Sequence, residues 1–337
     1  MRVVLAGAAI TVSYLMDSEI LAPVILLFVI VVPFEKLYPR KPGQKIRRPM
    51  VTTDITFALI SPILSIAGLV AGIVIGGLSL MWIPGLALRP LVAALPGPIV
   101  PIAAFVLFDM LIYWTHRWAH EVPFLWRFHA VHHSPEHMDW ISGFRAHPLD
   151  GVLIAPAFVF LLAAGFDVEV AGVLALLQIA LGLFFHANVR VRWRWLDKLV
   201  CNPEFHHWHH ANESDAIGHN YGGALPIWDL VFGTFFMPTD GRRPDHYGVD
   251  EPMPRTLLGL LAHPFRGLGL GVRWLRHPIR AARRLLGRVR VLFAEVWRMS
   301  RRPTHSVRRR TASGSFSTNA SLFDPADAPG RPPVQVF

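Results

Sequence analysis

The sequence contains one cysteine, Cys201, among 337 residues. A single thiol can form neither an internal disulfide framework nor a thiolate-rich metal site. Charged residues are also scarce, at 17%, whereas hydrophobic residues make up 53% and the mean hydropathy is +0.39. Because several apolar segments approach the ~20 residues that span a bilayer, the composition excludes an ordinary soluble protein and predicts an integral membrane protein.

Common catalytic motifs are missing as well. The sequence has no H-E-x-x-H of a zinc hydrolase, no G-x-S-x-G of a serine hydrolase and no G-x-G-x-x-G of a dinucleotide fold. No groove-reading nucleic-acid module is recognisable either, although the net charge is +10. The excess of positive charge lies between Pro264 and the C-terminus, a region with 15 arginines and three acidic residues. Basic clusters beside membrane segments contact anionic lipid headgroups, so we expect that partner for the tail and no nucleic acid.

Apolar stretches separated by short polar loops predict an all-α integral membrane protein with about four or five membrane-embedded helices. A basic loop, 36–48, follows the first stretch, whereas the loop 84–98 carries one charge, Arg89. The positive-inside rule places the basic loop, and a histidine-cluster cap with it, on the cytoplasmic side. Abundant Arg, Ala, Leu and Pro indicate a bacterial inner membrane. The predicted segments are 20–33, 55–82, one that begins with 100–113, and 151–164 and 168–185, the last two joined by a tight turn at 165–167.

Histidines are concentrated in one region, since 13 of the 17 lie between His116 and His219, both included. Eight of them fall into three groups with i, i+4 or i, i+3, i+4 spacing, which places the imidazoles on one face of a helix. Neutral imidazole is a good ligand for iron, zinc, copper and nickel. Eight ligands exceed the four of one tetrahedral zinc site, so the pattern predicts two metal ions. The groups are His116 and His120; His129, His132 and His133; and His206, His209 and His210.

Other polar residues extend this prediction. His186 ends an apolar segment on the same side and is a ninth candidate ligand, whereas His207 falls outside the H-x-x-H-H register. His147 is a candidate ligand or a donor that supports one. Asp109 lies seven residues before His116, so it either accepts a hydrogen bond from a ligand or makes a polar contact between helices. The remaining histidines are interpreted as solvated or dispersed: His137, His219, His246, His263, His277 and His305.

A metal pair at the end of apolar helices suits oxidative chemistry on a lipid. Two redox-active irons could activate O₂ and attack an unactivated C–H bond of a substrate whose chain lies in the bilayer. A histidine-rich metal transporter or sensor is a rival interpretation, but it requires polar groups in the spans, and these contain little beyond Asp109 and a few Ser and Thr. A structural protein with an incidental zinc site would not explain three groups of ligands.

The motifs together resemble the fatty acid hydroxylase/sterol desaturase superfamily, whose members are membrane di-iron oxygenases. The resemblance covers about residues 102–236. It implies the eight grouped histidines and His186 as iron ligands, O₂ as co-substrate, and hydroxylation or desaturation of a lipid. The motifs are D-x-x-x-Y-x-x-H-R-x-x-H (109–120), LWRFHAVHHS (125–134), RAHPLD (145–150), HANV (186–189), the late H-x-x-H-H (206–210), NYG (220–222) and WDLVFGT (228–234).

The resemblance also implies an external electron donor, namely a ferredoxin, a cytochrome or a reductase. Some relatives carry a fused haem domain with an H-P-G-G motif, but the His-Pro pairs here lack the two glycines. The expected organisation has four parts: transmembrane helices and the basic loop in 1–98, the di-iron catalytic domain in 99–240, a basic amphipathic interfacial segment in 241–300 and a disordered tail in 301–337.

Overall fold

The computed structural model describes residues 21–80, 82–190, 195–266 and Arg290. The predictions for the first 20 residues, for most of the basic amphipathic segment and for the disordered tail lie outside these residues. Within them the chain is helical and has no β-strand, only two isolated bridges. The helices are α1 (Leu21–Leu37), α2 (Val51–Leu78), α3 (Trp82–Ala93), α4 (Val100–Glu121), α5 (Pro123–His133), α6 (Ala155–Ala164), α7 (Val168–Phe185), α8 (Pro203–His209), α9 (Ile227–Phe232) and α10 (Leu257–Ala262).

Two helical segments are long and apolar enough to cross a membrane, Gly97–Glu121 and Val168–Phe185. The first comprises 25 residues and contains α4, and the second comprises 18 residues and is α7. Shorter apolar helices accompany them. This architecture is helical, as predicted, and consistent with a membrane protein. The number of spans and the cytoplasmic orientation of their ends stay predictions.

Most of the predicted loop 84–98 is helical, because Trp82–Ala93 forms helix α3. Pro84 lies in the first turn, where a missing backbone N–H costs no hydrogen bond. Helix α3 also packs closely on α6: a Cβ atom on Gly85 would lie 2.7 Å from the carbonyl oxygen of Phe160. Tertiary packing thus stabilises a helix through Pro90, which would weaken an isolated one.

A stripe of glycines lets α2 approach the polypeptide around α6. Cβ atoms added to Gly68, Gly72 and Gly76 would lie 2.7 to 2.8 Å from atoms of Pro148, Ala155 and Val159, respectively. The i, i+4, i+8 spacing places these glycines on one face, where small residues allow two backbones to pack closely. The contact also fixes the 3-10 turn Pro148–Leu153, which follows the R-A-H motif.

The turn between α6 and α7 is as tight as predicted. Gly165 ends α6 in the left-handed region, with φ of +94°. The backbone N–H of Phe166 donates to Leu161 and that of Gly165 to Leu162, which satisfies the last carbonyl groups of the helix. The turn reverses the chain, so that α7 ends on the side of the protein where α4 ends.

A buried ion-pair network joins the start of α2 to the segment after α5. Asp54 accepts hydrogen bonds from Arg48 (2.7 Å) and from Arg145 (2.5 Å), and Arg48 also donates to Asp139 (2.5 Å). Asp54 and Arg145 are almost fully buried, so each charge depends on its partners. Arg145 therefore has a structural role, since it neutralises a buried carboxylate at the start of α2.

Replacement of Gly76 by leucine should destabilise the protein, whereas the same change at the adjacent Gly77 should not. A Cβ atom at position 76 would meet Val159 Cγ2 at 2.7 Å, but nothing lies within 4 Å at position 77. Overpacking costs about 1–3 kcal/mol, so Gly76→Leu should lower the thermal unfolding midpoint in detergent. Equal midpoints for Gly76→Leu and Gly77→Leu would show that the close contact does not stabilise the fold.

Candidate metal centre

The ends of four helices converge and carry all nine histidines that the sequence singles out. His116 and His120 lie in the last two turns of α4. His129, His132 and His133 lie in the second half of α5, which ends at His133. His186 caps α7. Helix α8 contains His206 and His209, and His210 is its C-cap. Because each group occupies consecutive helical turns, its imidazoles point to one side, and the four helix ends face a shared centre.

The nine histidines separate into two groups in which the candidate ligand atoms lie within 4.8 Å of one another. Helices α5 and α8 each contribute to both groups, so neither group belongs to a single sequence motif. The groups adjoin, since the rings of His133 and His210 stack with centroids 4.1 Å apart. We call the two sets the first group (His116, His120, His129, His133 and His209) and the second group (His132, His186, His206 and His210).

Several outer nitrogens of these rings are held by oxygen acceptors. His116 Nδ1 donates to the carbonyl oxygen of Tyr221 (2.9 Å), and His209 Nδ1 donates to that of His219 (2.9 Å). His186 Nδ1 donates to the carbonyl oxygen of its own helix at Gly182 (2.6 Å). A donor at Nδ1 leaves Nε2 as an acceptor in the neutral ring, so these bonds turn the Nε2 lone pairs toward the centre.

The inner nitrogens are arranged as a cation would require. His116 Nε2 lies 3.2 Å from His129 Nε2, and both rings donate from Nδ1, so two acceptor lone pairs face each other. Buried Nε2 atoms of the second group have no hydrogen-bond partner: those of His186, His206 and His210. Unpartnered buried nitrogens are costly, and a metal ion in each group would satisfy them. The donor set therefore fits two ions.

Burial keeps the imidazoles neutral, which is the form that binds metal. Burial, with the neighbouring imidazoles as a further cause, lowers the pKa of His132, His133, His206 and His210 well below the ordinary value. Burial also lowers the pKa of His186, to about 4. At neutral pH these rings hence offer lone pairs and carry no charge that would repel a cation.

The carboxylate that supports a candidate ligand is Asp150, which sequence reasoning missed. His129 Nδ1 donates to Asp150 Oδ1 at 2.9 Å. Such a bond fixes the tautomer and orientation of the ring and raises its basicity. Asp150 ends the R-A-H-P-L-D motif, 21 residues after His129. Its position in that motif indicated a functional role. Residue spacing could not predict the turn that brings Asp150 to α5.

Asp109 does not contact a candidate ligand, which corrects one of its two interpretations. Its carboxylate accepts hydrogen bonds from the backbone of Ala224 (2.7 Å) and Leu225 (3.0 Å) and from the indole of Trp228 (3.0 Å). It thus holds the loop 220–225, whose Tyr221 carbonyl receives the bond from His116. Asp109 supports the centre only through this loop.

Asp229 holds the same loop from its other end. Its two oxygens accept from the backbone N–H groups of Tyr221 and Gly222, each at 2.8 Å, and from the hydroxyl of Thr234 at 2.7 Å. Burial raises the pKa of Asp229 to about 6. Asp229 therefore has a structural role: it fixes the loop whose carbonyl oxygen orients His116.

His147 lies outside both groups, which corrects the expectation that it binds a metal or supports a ligand. Its Nε2 donates to the carbonyl oxygen of Leu261 (3.1 Å), and its Nδ1 accepts from the backbone N–H of Leu149 (3.1 Å). Both nitrogens are thus used to hold the local backbone. His207 also lies outside the groups, as the register of the third motif predicts. His219 is half-buried, and its backbone carbonyl oxygen, not its ring, contacts a candidate ligand.

Residues 101–234 match the family described as fatty acid hydroxylase. Ornithine lipid hydroxylase OlsE of Rhizobium tropici is 34% identical over 169 residues, which cover 50% of this chain and 51% of that protein. Alkylglycerol monooxygenase of Homo sapiens is 32% identical over 40% of this chain and 30% of its own length. Lathosterol oxidase of Mus musculus is 31% identical over 44% and 50%. The chain thus spans about half or less of these curated relatives, and no solved structure matches it.

Replacement of Asp150 by asparagine should weaken metal binding without unfolding the protein. Asparagine keeps the shape but removes the charge that orients His129, and loss of such a partner lowers metal affinity about 10- to 100-fold. Competition of the iron-loaded protein with a chelator would measure the change. Asp167→Asn, an exposed change in the turn before α7, is the control. Equal affinities for the two variants would show that Asp150 does not support a metal ligand.

Proposed function

We propose that this chain, whose residues 101–234 match the fatty acid hydroxylase family, is a membrane-bound di-iron oxygenase that hydroxylates a C–H bond of a lipid. The observation that carries the proposal is the convergence of nine histidines in two adjoining groups. The hydroxylase, monooxygenase and sterol-oxidising relatives support an oxidoreductase that acts on lipids. The use of iron and O₂ by this chain is part of the proposal.

Each histidine group would hold one iron. The first group offers five nitrogens and the second four, and all are imidazoles, which suit iron. When bound, the iron pair supplies the redox chemistry by which O₂, two electrons and two protons convert R–H into R–OH and water. The chain contributes a fixed set of neutral ligands, oriented from outside by Asp150 and by backbone carbonyl groups.

Aromatic side chains cover the first group and restrict the access of water. The ring of Tyr221 lies 5.2 Å from that of His120 and 5.9 Å from that of His116. The ring of Trp126 lies 5.2 Å from that of His120 on another side. Exclusion of water protects a reactive centre from side reactions, which is what oxidation of an unactivated C–H bond demands.

We also propose an electron donor, a membrane and a route of substrate entry for this protein. Two electrons come from a separate ferredoxin, cytochrome or reductase. The protein lies in a bacterial inner membrane with the metal centre on the cytoplasmic side, and the arginine-rich tail contacts anionic lipid headgroups. The lipid substrate enters from the bilayer, since the centre lies where apolar helices end.

Desaturation by the same centre is the alternative, and a relative named as a sterol C5(6)-desaturase of Arabidopsis thaliana supports it. A metal transporter or sensor is less well supported. The carboxylate of Asp109 in α4 is already bonded to two backbone N–H groups and an indole, so it is not free to carry an ion through the membrane.

Purified protein should contain about two irons per chain, oxidisable by O₂ after reduction, and should form an oxidised lipid when electrons are supplied. His132→Ala/His133→Ala removes one candidate ligand from each group, so it should lose iron and product together. His219→Ala is the control, because this histidine lies outside both groups and the substitution keeps the backbone carbonyl oxygen that accepts from His209.

The measurement is metal analysis of the three proteins together with mass spectrometry of their lipids. A hydroxylated product would distinguish hydroxylation from desaturation, which gives a new double bond. A single redox-silent zinc ion that persists in the double variant would contradict the proposed function. Transport of iron into vesicles without lipid oxidation would favour the transporter instead.

A further inference from the structure

Three buried side chains and one half-buried tyrosine lie beside the second histidine group and are not candidate ligands. They form one hydrogen-bonded set that we call the flanking frame: Arg40, Glu204, His207 and Tyr247. They come from the loop after α1, from α8 and from the segment after α9, so the frame joins three parts of the chain. We propose that the flanking frame positions the second group, and only that group, for binding its metal ion.

His207 has a defined hydrogen-bonding role in the frame. Its Nε2 lies 3.1 Å from the carbonyl oxygen of Ala187, so this nitrogen must donate. Its Nδ1, 2.9 Å from the hydroxyl of Tyr247, consequently accepts from that hydroxyl in the neutral ring. Burial lowers the pKa of His207 well below its ordinary value, which is consistent with the neutral form.

The bond from His207 to Ala187 fixes the distance between two candidate ligands. Ala187 directly follows His186, and His207 directly follows His206. The ring centroids of His186 and His206 are 4.5 Å apart. A hydrogen bond between the immediate neighbours of these two histidines thus ties the end of α7 to α8 at the point where both rings meet.

Arg40 reinforces the same connection from the other side. Its backbone N–H donates to the carbonyl oxygen of Asn188 (3.1 Å), two residues after His186. Its side chain donates to Glu204 Oε2 (3.2 Å), two residues before His206, and to the hydroxyl of Tyr247 (2.7 Å). Arg40 and Glu204 are buried, so these charge-assisted bonds are strong and costly to lose.

The frame supports the second group rather than the first because its hydrogen bonds are made to neighbours of second-group histidines. These bonds involve Ala187, next to His186, and Glu204, two residues before His206, and both histidines belong to the second group. The first group has its own partners, Asp150 and the carbonyl oxygen of Tyr221 among them. Each half of the centre therefore has a separate set of supporting residues.

Two members of the frame, Arg40 and Tyr247, lie outside residues 101–234, the region that matches the family. The second group hence depends on segments that precede and follow the family region in the sequence. The inference rests on the two-ion centre proposed above. It adds that the flanking segments hold one half of that centre in its binding geometry.

The test uses full-length protein loaded anaerobically with ⁵⁷Fe(II) and examined by Mössbauer spectroscopy over a series of chelator concentrations. Wild-type protein should show two iron environments, and His206→Ala, which removes a ligand of the second group, identifies one of them. Tyr247→Phe removes one hydroxyl from the frame. It should lose that same environment at about tenfold less chelator and keep the other. Tyr38→Phe, at an exposed tyrosine of the same loop as Arg40, is the matched control.

Two further variants separate positioning from general stability. His207→Gln can still donate to Ala187 and accept from Tyr247, so it should retain both irons, whereas His207→Leu should behave like Tyr247→Phe. Asp150→Asn should show the reciprocal pattern and lose the first environment. Parallel loss of both irons in Tyr247→Phe, or no loss at all, would overturn the inference while the two-iron wild type still supported the proposed function. A wild type with fewer than two irons would overturn both.

Discussion

The centre of this protein depends on neutral imidazoles whose lone pairs face one another. His116 Nε2 and His129 Nε2 are 3.2 Å apart although both rings donate from their other nitrogen. In a buried site this arrangement is unfavourable unless a cation lies between the acceptors. The helices, turns and hydrogen bonds around the centre therefore hold a geometry that metal binding would make stable, which is the usual coupling between a metal and its fold.

The scaffold delivers this geometry through close packing at a distance from the metal ligands. The glycine face of α2 admits the turn Pro148–Leu153, and that turn presents Asp150 to His129. The loop 220–225 is held by two carboxylates, Asp109 and Asp229, and presents the Tyr221 carbonyl oxygen to His116. In both cases a residue remote in sequence fixes the orientation of an imidazole, so the ligand helices alone would not define the centre.

Sequence patterns could predict which histidines lie together because helical spacing is a local property. The i, i+3, i+4 pattern brought His129, His132 and His133 to one helix end, and register alone separated His206 from His207. The supporting residues could not be predicted in this way. Asp109 had the right helical spacing to reach His116 but binds a loop, whereas Asp150 reaches His129 through tertiary packing. The segment 84–98 is predicted as a loop, but packing on α6 stabilises helix α3 over most of it.

The distribution of acidic residues explains how the centre would keep its positive charge. The candidate ligands are all imidazoles, in contrast to the carboxylate-rich sites of ferritin-like di-iron proteins. Asp109 and Asp229 lie nearby, but their oxygens are bonded to backbone N–H groups of the loop. Among the described residues, Asp150 is the carboxylate bonded directly to a candidate ligand. The imidazoles would therefore hold metal ions in a buried site without cancelling the charge of those ions. The acids thus orient the centre without neutralising it.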